Sequence, residues 1–217
     1  KKLYSVSGSA SLRRAWSSHV SAPSHRAKSV LMGCGSSSAV TVRVVLVGLD
    51  NAGKSSILHC LTEGKSQHNP RPTIGYQQAT IHRSKMEIQI WDVGGDAKGR
   101  DLWRHYIKGA NAVIFVVDAS DEYHLDQCGD ECAKNELHGV LKNDELPFTS
   151  PLLIYANKQD KSGVLTQQQL EQRLELNEIK SRSWHIQPSC ALNCNGTDDG
   201  IDWLCEAMQR QLKAAKQ

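Results

Sequence analysis

This 217-residue sequence lacks two features, and each absence excludes or disfavours a class of protein. It has no run of eighteen or more apolar residues, so a membrane-spanning helix is excluded. Its seven cysteines form no C-x-x-C pair and have no matching histidine pair. This argues against a zinc site at Cys128 and Cys132 or at Cys190 and Cys194, and we expect reduced thiols.

Acidic side chains are also missing from residues 1–31, which carry six lysines and arginines and nine serines. The whole chain has a formal net charge of +3, so subtracting +6 for this leader leaves −3 for residues 32–217. The charge of the remainder therefore does not favour nucleic-acid binding. A leader of this composition is typical of a transit peptide or of a disordered tail.

The first methionine offers a third interpretation of the leader, because Met32 opens the sequence Met-Gly-Cys-Gly-Ser-Ser, which fits the N-myristoylation pattern. We expect Met32 to be the native start and residues 1–31 to be an upstream translated extension. Myristate on Gly33 alone would bind a membrane weakly, and palmitate on Cys34 would supply a second anchor. Residues 32–41 are thus predicted to be an acylation segment ahead of a domain at 42–217.

A complete phosphate-binding pattern, G-x-x-x-x-G-K-S, starts at Gly48 directly after the apolar run 42–47. A glycine-rich turn between a buried strand and a helix directs several backbone N–H groups at one point, where phosphates can bind. Lys54 would reach the β- and γ-phosphates, and the Ser55 hydroxyl would bind Mg²⁺. The other residues of the predicted phosphate site are Asp50, Asn51, Ala52, Gly53 and Ser56.

The nucleotide base is indicated by Asn157-Lys158-Gln159-Asp160, which follows a second apolar run at 152–156. The Asp160 carboxylate can accept hydrogen bonds from guanine N1–H and the exocyclic amine, whereas adenine offers an acceptor at N1. Guanine is therefore favoured. Asn157 can connect this segment to the phosphate loop, and the aliphatic part of Lys158 can lie over the base. Ser189-Cys190-Ala191, after a third run at 184–187, would offer N–H groups of Cys190 and Ala191 to the guanine carbonyl.

Five motifs in this order resemble those of the Arf and Arf-like (Arl) small GTPases of the Ras superfamily. They are Gly-Leu-Asp-Asn-Ala-Gly-Lys-Ser from 48, Pro-Thr-Ile-Gly from 72, Trp-Asp-Val-Gly-Gly from 91, Leu-Trp-Arg-His-Tyr from 102 and Asn-Lys-Gln-Asp from 157. The resemblance implies that Thr73 joins Ser55 on Mg²⁺ only when the γ-phosphate is present and that Asp92 holds the same ion through water. It also implies that the Gly95 N–H contacts the γ-phosphate. Loss of that phosphate would release the two loops that contain Thr73 and Gly95.

The same resemblance implies partners: exchange factors, GTPase-activating proteins and effectors that read an aromatic patch on Tyr76, Trp91 and Tyr106. Exposed aromatic clusters are frequent binding hot spots, although Trp91 on a strand is equally consistent with core packing. The family resemblance also implies a monomer that acts in vesicle trafficking. It would be cytoplasmic and peripheral on the cytosolic face of the Golgi or other endomembranes.

Asp96 departs from the family pattern, in which Gly94-Gly95 is followed by a glutamine that orients the attacking water. A carboxylate beside the γ-phosphate would be repelled and reaches one methylene less, so we expect slow GTP hydrolysis with Gly95 and Asp96 at the catalytic position. Asp96 acting as a weak base is a further possibility. The alternative function is a nucleotide-binding scaffold, a pseudo-GTPase, in which Asp96 has impaired turnover.

The apolar runs predict an α/β domain of the P-loop NTPase class, with a six-stranded, mostly parallel sheet and helices on both faces. The six predicted strands are 42–47, 79–82, 86–91, 112–117, 152–156 and 184–187. Residues 83–85 are the predicted hairpin turn, and 121–151 are longer than the family's third helix, which indicates an insertion. The stripe of Ile201, Leu204, Cys205, Met208 and Leu212 predicts a final helix packed on the core.

Overall fold

The computed structural model describes residues 39–67 and 70–214. Within them the chain forms six strands: β1 (Val40–Val47), β2 (Tyr76–Arg83), β3 (Met86–Val93), β4 (Ala112–Asp118), β5 (Leu152–Asn157) and β6 (Trp184–Pro188). The helices are α1 (Lys54–Glu63), α2 (Ala97–Ile107), α3 (Glu122–Asp126), α4 (Ala133–Leu141), α5 (Gln167–Arg173) and α6 (Thr197–Ala214). Every predicted strand is present, with bounds that extend one to three residues beyond several predicted ends.

The strands form one sheet in the order β2-β3-β1-β4-β5-β6, in which β2 is antiparallel to β3 and the other neighbours are parallel. The predicted fold class is therefore confirmed. The carboxyl ends of β1, β3, β4 and β5 lie at one edge of the sheet, where parallel α/β proteins bind ligands. All of the polar motifs that follow these strands are consequently brought to the same edge.

The turn between β2 and β3 consists of Ser84 and Lys85, which have φ values of 50° and 65°. Two successive residues with positive φ make a type I′ turn, whose twist matches that of a two-residue hairpin. This confirms the hairpin predicted at 83–85. The register places Tyr76 opposite Val93 and Gln77 opposite Asp92, so the start of β2 lies beside the end of β3.

Apolar side chains bury both faces of the sheet. On one face, α2, α4 and α5 contribute Trp103, Ile107, Leu137, Val140 and Leu170. On the other, α1 and α6 contribute Ile57, Leu58, Leu61, Ile201, Leu204, Cys205 and Met208. The predicted stripe of the last helix is therefore core, because these side chains pack on β-strand residues such as Ile88 and Leu153.

The segment 121–151, in which an insertion is predicted, contains a break between α3 and α4. α3 ends at Asp126, a 3₁₀ turn occupies Gly129–Glu131, and α4 begins at Ala133. Gly129 has a φ of 78°, a left-handed conformation in which a helix cannot continue and which glycine adopts most readily. None of the helices in residues 39–67 and 70–214 is long and apolar enough to cross a membrane.

Candidate functional site

The loop between β1 and α1 has the close packing that a phosphate-binding turn requires. Gly48 has a φ of 141°, and a Cβ there would lie 2.3 Å from the Val116 carbonyl oxygen. Gly53 has a φ of 99°, and a Cβ there would lie 2.2 Å from Asn157 Nδ2. Only glycine fits at either position without displacing its neighbours. Both glycines of the predicted motif therefore have a steric explanation.

The Lys54 ammonium group is buried beneath this loop. Its Nζ atom donates to the carbonyl oxygens of Gly48 and Leu49, each at 2.9 Å. Burial lowers the pKa of Lys54, and the charge of Asp92 partly opposes that shift. An ammonium that is this poorly hydrated is stabilised by an anionic ligand, and the neighbouring backbone N–H groups suit a phosphate.

Asn157 connects three predicted segments of the site. Its Nδ2 atom donates to the Ala52 carbonyl oxygen at 2.8 Å, and its Oδ1 atom accepts from the Ala191 N–H at 3.1 Å. The side chain is almost fully buried, so both hydrogen bonds are protected from water. The phosphate loop, the Asn-Lys-Gln-Asp segment and the loop after β6 are thus joined through one amide.

Asp160 and Cys190 meet where the base would bind, with the Cys190 thiol donating to Asp160 Oδ1 at 3.2 Å. Lys158 lies beside them and forms an ion pair with Asp118 Oδ2 at 2.8 Å. Burial raises the pKa of Asp118, but hydrogen bonds from Lys158 and Ser120 outweigh burial and hold that pKa below its ordinary value. Sequence reasoning did not identify Asp118. Its position as the last residue of β4 was the available signal.

Ser55, Thr73 and Asp92 converge as the family resemblance implies. Ser55 Oγ donates to Asp92 Oδ2 at 2.5 Å, and the hydroxyl oxygens of Ser55 and Thr73 are 2.7 Å apart. Gln77, which sequence reasoning missed, donates to the same Asp92 Oδ2 at 2.7 Å.

The other carboxylate oxygen of Asp92, Oδ1, is buried and has no hydrogen-bond partner within the described residues. Burial raises the pKa of Asp92, although hydrogen bonds from Ser55 and Gln77 and the charge of Lys54 oppose this. Two hydroxyls and a buried carboxylate with a free oxygen form an all-oxygen donor set, which fits Mg²⁺. The three residues predicted for the metal site are therefore together.

The segment after β3 closes against the phosphate loop. The Asp50 N–H donates to the Gly95 carbonyl oxygen at 3.1 Å, and the Gly94 N–H donates to the Gly75 carbonyl oxygen at 2.9 Å. A Cβ on Gly95 would lie 2.4 Å from both the Gly48 carbonyl oxygen and Lys54 Nζ. The segments that contain Thr73 and Gly95 are thus held beside the loop that would carry the phosphates.

Asp96 is the N-cap of α2, and its Oδ1 atom accepts a hydrogen bond from the Gly99 N–H at 2.9 Å. Aspartate is among the preferred residues at this position because its carboxylate satisfies a free N–H of the first helical turn. Sequence reasoning considered Asp96 only as a substituted catalytic residue. The structure adds a role in starting α2.

Tyr76, Trp91 and Tyr106 form one aromatic cluster. The ring centroids of Tyr76 and Trp91 are 5.2 Å apart and those of Tyr76 and Tyr106 are 5.0 Å apart. The Arg43 guanidinium covers the Trp91 ring, with 4.7 Å between Cζ and the ring centroid. Tyr76 keeps 49% of its surface exposed, and the adjacent Ile74 keeps 96%. Tyr76 is therefore the exposed part of the cluster, whereas Trp91 and Tyr106 are half-buried.

The prediction of reduced thiols is wrong for one pair in this structure. Cys60 of α1 and Cys194 of the loop after β6 are joined by a disulfide, with 5.4 Å between their Cα atoms. The two residues are 134 positions apart in the sequence, so spacing along the chain contained no signal for the pair. Cys128, Cys132, Cys190 and Cys205 are free. The predicted lipidation sites Gly33 and Cys34 lie outside the described residues.

This sequence is similar to known sequences of one protein family. The sequence model of the ADP-ribosylation factor family matches residues 28–208. ADP-ribosylation factor J of Dictyostelium discoideum is 39% identical over 169 residues, which are 78% of this chain and 86% of that protein. ADP-ribosylation factor 3 of Arabidopsis thaliana is 41% identical over 167 residues, 77% of this chain and 88% of that protein.

A solved structure of a small GTPase also matches this chain. The Arl6 BBS3 small GTPase of Trypanosoma brucei, solved with the bound nucleotide analogue GppNp, superposes with a TM-score of 0.69 at 34% identity. The match covers 79% of this chain and 99% of the trypanosome chain. The match to the family model, the identity to its members and the shared fold show that this chain belongs to the ADP-ribosylation factor family of small GTPases.

Proposed function

We propose that this protein is a guanine-nucleotide switch that binds GTP or GDP with Mg²⁺ and hydrolyses GTP slowly. The observation that supports it best is the convergence of Ser55, Thr73 and Asp92 beside the buried Lys54. A related protein with a bound GTP analogue, the trypanosome Arl6, has the same fold.

The phosphates would bind to the backbone N–H groups of residues 50–56 and to Lys54, which would exchange its two carbonyl partners for phosphate oxygens. The guanine would bind to Asp160 in place of the Cys190 thiol, with Lys158 over the ring and Ala191 near the carbonyl. Asn157 would keep the base and phosphate segments at a constant separation.

Mg²⁺ would bind to Ser55, Thr73 and Asp92, and when bound it would neutralise charge between the β- and γ-phosphates. Thr73 belongs to the loop before β2, whereas Ser55 and Asp92 belong to α1 and β3. Loss of the γ-phosphate would remove an attachment of that loop while leaving the other two residues in place. Hydrolysis of GTP would in this way alter the conformation of the loop before β2 and so the surface that this loop forms.

The changed surface would be the aromatic cluster together with Ile74, because Tyr76 follows Thr73 by three residues and is exposed. We infer that effectors bind this surface in the GTP state and that exchange factors and activating proteins control the state. We also infer a peripheral membrane location through acyl groups on Gly33 and Cys34 and a role in vesicle trafficking, with the protein acting as a monomer.

Fluorescent mant-GDP and mant-ATP, titrated into the full 217-residue chain with Mg²⁺ or with EDTA, test the binding step. We expect tight binding of mant-GDP that weakens in EDTA, and no binding of mant-ATP at the same concentrations. Equal affinities for the two nucleotides would contradict the proposal. Phosphate release from bound GTP in a single turnover then tests the chemistry, and a rate equal to that without protein would favour the scaffold alternative.

Hydrogen exchange of residues 73–78 in the GDP and GppNp complexes tests the switch. Slower exchange with GppNp is expected, because Thr73 would gain a ligand in that state. Identical exchange in both complexes would refute the switch while leaving nucleotide binding intact. Labelling with alkyne-tagged myristate in eukaryotic cells, with a Gly33→Ala control, separately tests the membrane anchor.

A further inference from the structure

Cys60 and Cys194 connect the two halves of the nucleotide site. Cys60 belongs to α1, the helix that begins at Lys54 of the phosphate loop. Cys194 lies four residues after Cys190, in the loop whose Ala191 is hydrogen-bonded to Asn157. The disulfide therefore joins the helix at the phosphates to the loop at the base.

The backbone at Cys194 is unusual. Its φ is 61°, in the left-handed region that favours glycine and that few other residues adopt. Cysteine thus occupies a position that its own backbone preference disfavours, and its side chain meets the one cysteine of α1. This placement favours a role for the Cys194 sulfur itself.

The surroundings accommodate the reduced pair as well. Cys60 Sγ lies 3.4 Å from the Ala191 carbonyl oxygen, within reach of a hydrogen bond that a thiol would donate. Cys60 is 4% exposed, whereas Cys194 is partly exposed to solvent. A small oxidant can therefore reach Cys194, and the buried Cys60 has a polar partner when it is not cross-linked.

From these contacts we propose that Cys60 and Cys194 are a reversible redox modification site whose disulfide slows the release of guanine nucleotide. The inference rests on the proposed function, since it assigns a regulation to the same site. A nucleotide bound to both loops would leave fastest when the base-recognition loop can move relative to the phosphate loop, against the connection that Asn157 makes between them. A covalent bond from that loop to α1 restricts this motion and leaves less conformational freedom to be lost on binding.

The chemistry requires a low-molecular-weight disulfide such as glutathione disulfide. The Cys194 thiolate attacks one sulfur of glutathione disulfide, the S–S bond breaks, and one glutathione leaves as a thiolate. The Cys60 thiol then loses its proton to solvent, and the resulting thiolate attacks Cys194 Sγ and releases the second glutathione as a thiolate. Two protein thiols are oxidised, and one glutathione disulfide is reduced to two glutathiones.

The test compares mant-GDP release from the full chain after equilibration with glutathione disulfide or with dithiothreitol. Mass mapping of the Cys60–Cys194 peptide under each condition shows how much cross-link is present. We expect the oxidised protein to release mant-GDP at least about fivefold more slowly, the lower end of a coupling between two sites. In Cys60→Ser and Cys194→Ser the two conditions should give equal rates, whereas Cys205→Ser, which removes a buried free thiol, should respond like the wild type.

Equal release rates in a wild-type protein whose cross-link has been verified would overturn the inference, and so would failure of the cross-link to form in glutathione disulfide. The opposite sign, faster release after oxidation, would also overturn it. Failure of both forms to bind mant-GDP would instead overturn the proposed function, so the two failures are distinguishable.

Discussion

The Oδ1 atom of Asp96 accepts a hydrogen bond from the backbone N–H of Gly99 at 2.9 Å and so starts α2. The glutamine that the family pattern places here would be a weaker N-cap than aspartate. The same side chain precedes a helix and follows Gly95 of the proposed γ-phosphate site. The observed capping role and the predicted loss of catalytic power therefore concern the same position.

Substitution of Asp96 separates these two effects. In Asp96→Gln we expect faster single-turnover phosphate release, because a longer neutral amide can orient water without repelling the γ-phosphate. The same variant should lose about 0.5–2 kcal/mol of unfolding free energy in urea, because the cap is weakened. Asp96→Asn is the matched control, which removes the charge but retains a favoured cap and should keep wild-type stability. Equal phosphate release in all three proteins would refute our account of Asp96.

Base recognition by Asp160 is tested with inosine diphosphate, which lacks the exocyclic amine of guanine. The wild type should prefer GDP over inosine diphosphate by about tenfold or more, the value of one hydrogen bond to a charged acceptor. In Asp160→Ala this preference should disappear, because no carboxylate remains to accept from the amine. Competition against mant-GDP measures both ratios. The exposed Asp144→Ala serves as a control and should retain the wild-type preference, and loss of preference in that control would contradict the assignment.

Asp92 is expected to lower the stability of the metal-free protein. Because burial raises its pKa above the ordinary 3.8, the folded state retains a proton that the unfolded state has released, and stability falls as the pH rises above that value. In EDTA, Asp92→Asn should therefore be more stable than the wild type at neutral pH, and the difference should shrink towards pH 3. Urea unfolding at several pH values measures this.

The response of nucleotide binding to Mg²⁺ tests whether Asp92 belongs to the metal site. Addition of Mg²⁺ should tighten mant-GDP binding to the wild type and have little effect on Asp92→Asn, since a neutral amide is a poor ligand for this ion. Gln77→Ala is the matched control, because it removes a hydrogen bond to Asp92 but no proposed metal ligand. A full magnesium response in Asp92→Asn would exclude this residue from the metal site.

Arg100 connects α2 to the α3–α4 region. Its Nη2 atom is 2.6 Å from Glu131 Oε2 and its Nε atom is 3.0 Å from Glu136 Oε1, while only 12% of its side chain is exposed. Glu131 is 73% exposed and Glu136 is 24% exposed. The pair with Glu136 is therefore better shielded from water and should contribute more.

Double-mutant cycles in urea measure this difference. The cycle of Arg100→Ala with Glu136→Ala should give a coupling of about 1 kcal/mol, and the cycle with Glu131→Ala about 0.5 kcal/mol or less. Equal couplings, or the reverse order, would show that burial does not rank the two pairs. Glu131 ends the 3₁₀ turn between α3 and α4, so a measurable coupling there would link that turn to α2.

Local patterns along the chain determined much of the fold and of the candidate site. The strands β1, β4 and β5 were visible as apolar runs because a strand buried on both faces needs successive apolar side chains. The phosphate loop was visible because its glycines and Lys54 lie within a few residues of one another. The aromatic cluster could be expected only through the family resemblance, since Tyr76, Trp91 and Tyr106 belong to three different elements.

Contacts between distant parts of the chain were decided by the tertiary structure alone. Asn157 meets Ala52 across 105 residues, and Cys60 meets Cys194 across 134. The order of the strands and the packing of helices on both faces bring such residues together, and no local spacing records that order. The sequence by itself therefore specified which chemical groups the chain contains and which strands they follow. The pairing of Cys60 with Cys194 in a disulfide and of Lys158 with Asp118 in an ion pair depended on distances that exist only after the sheet has assembled.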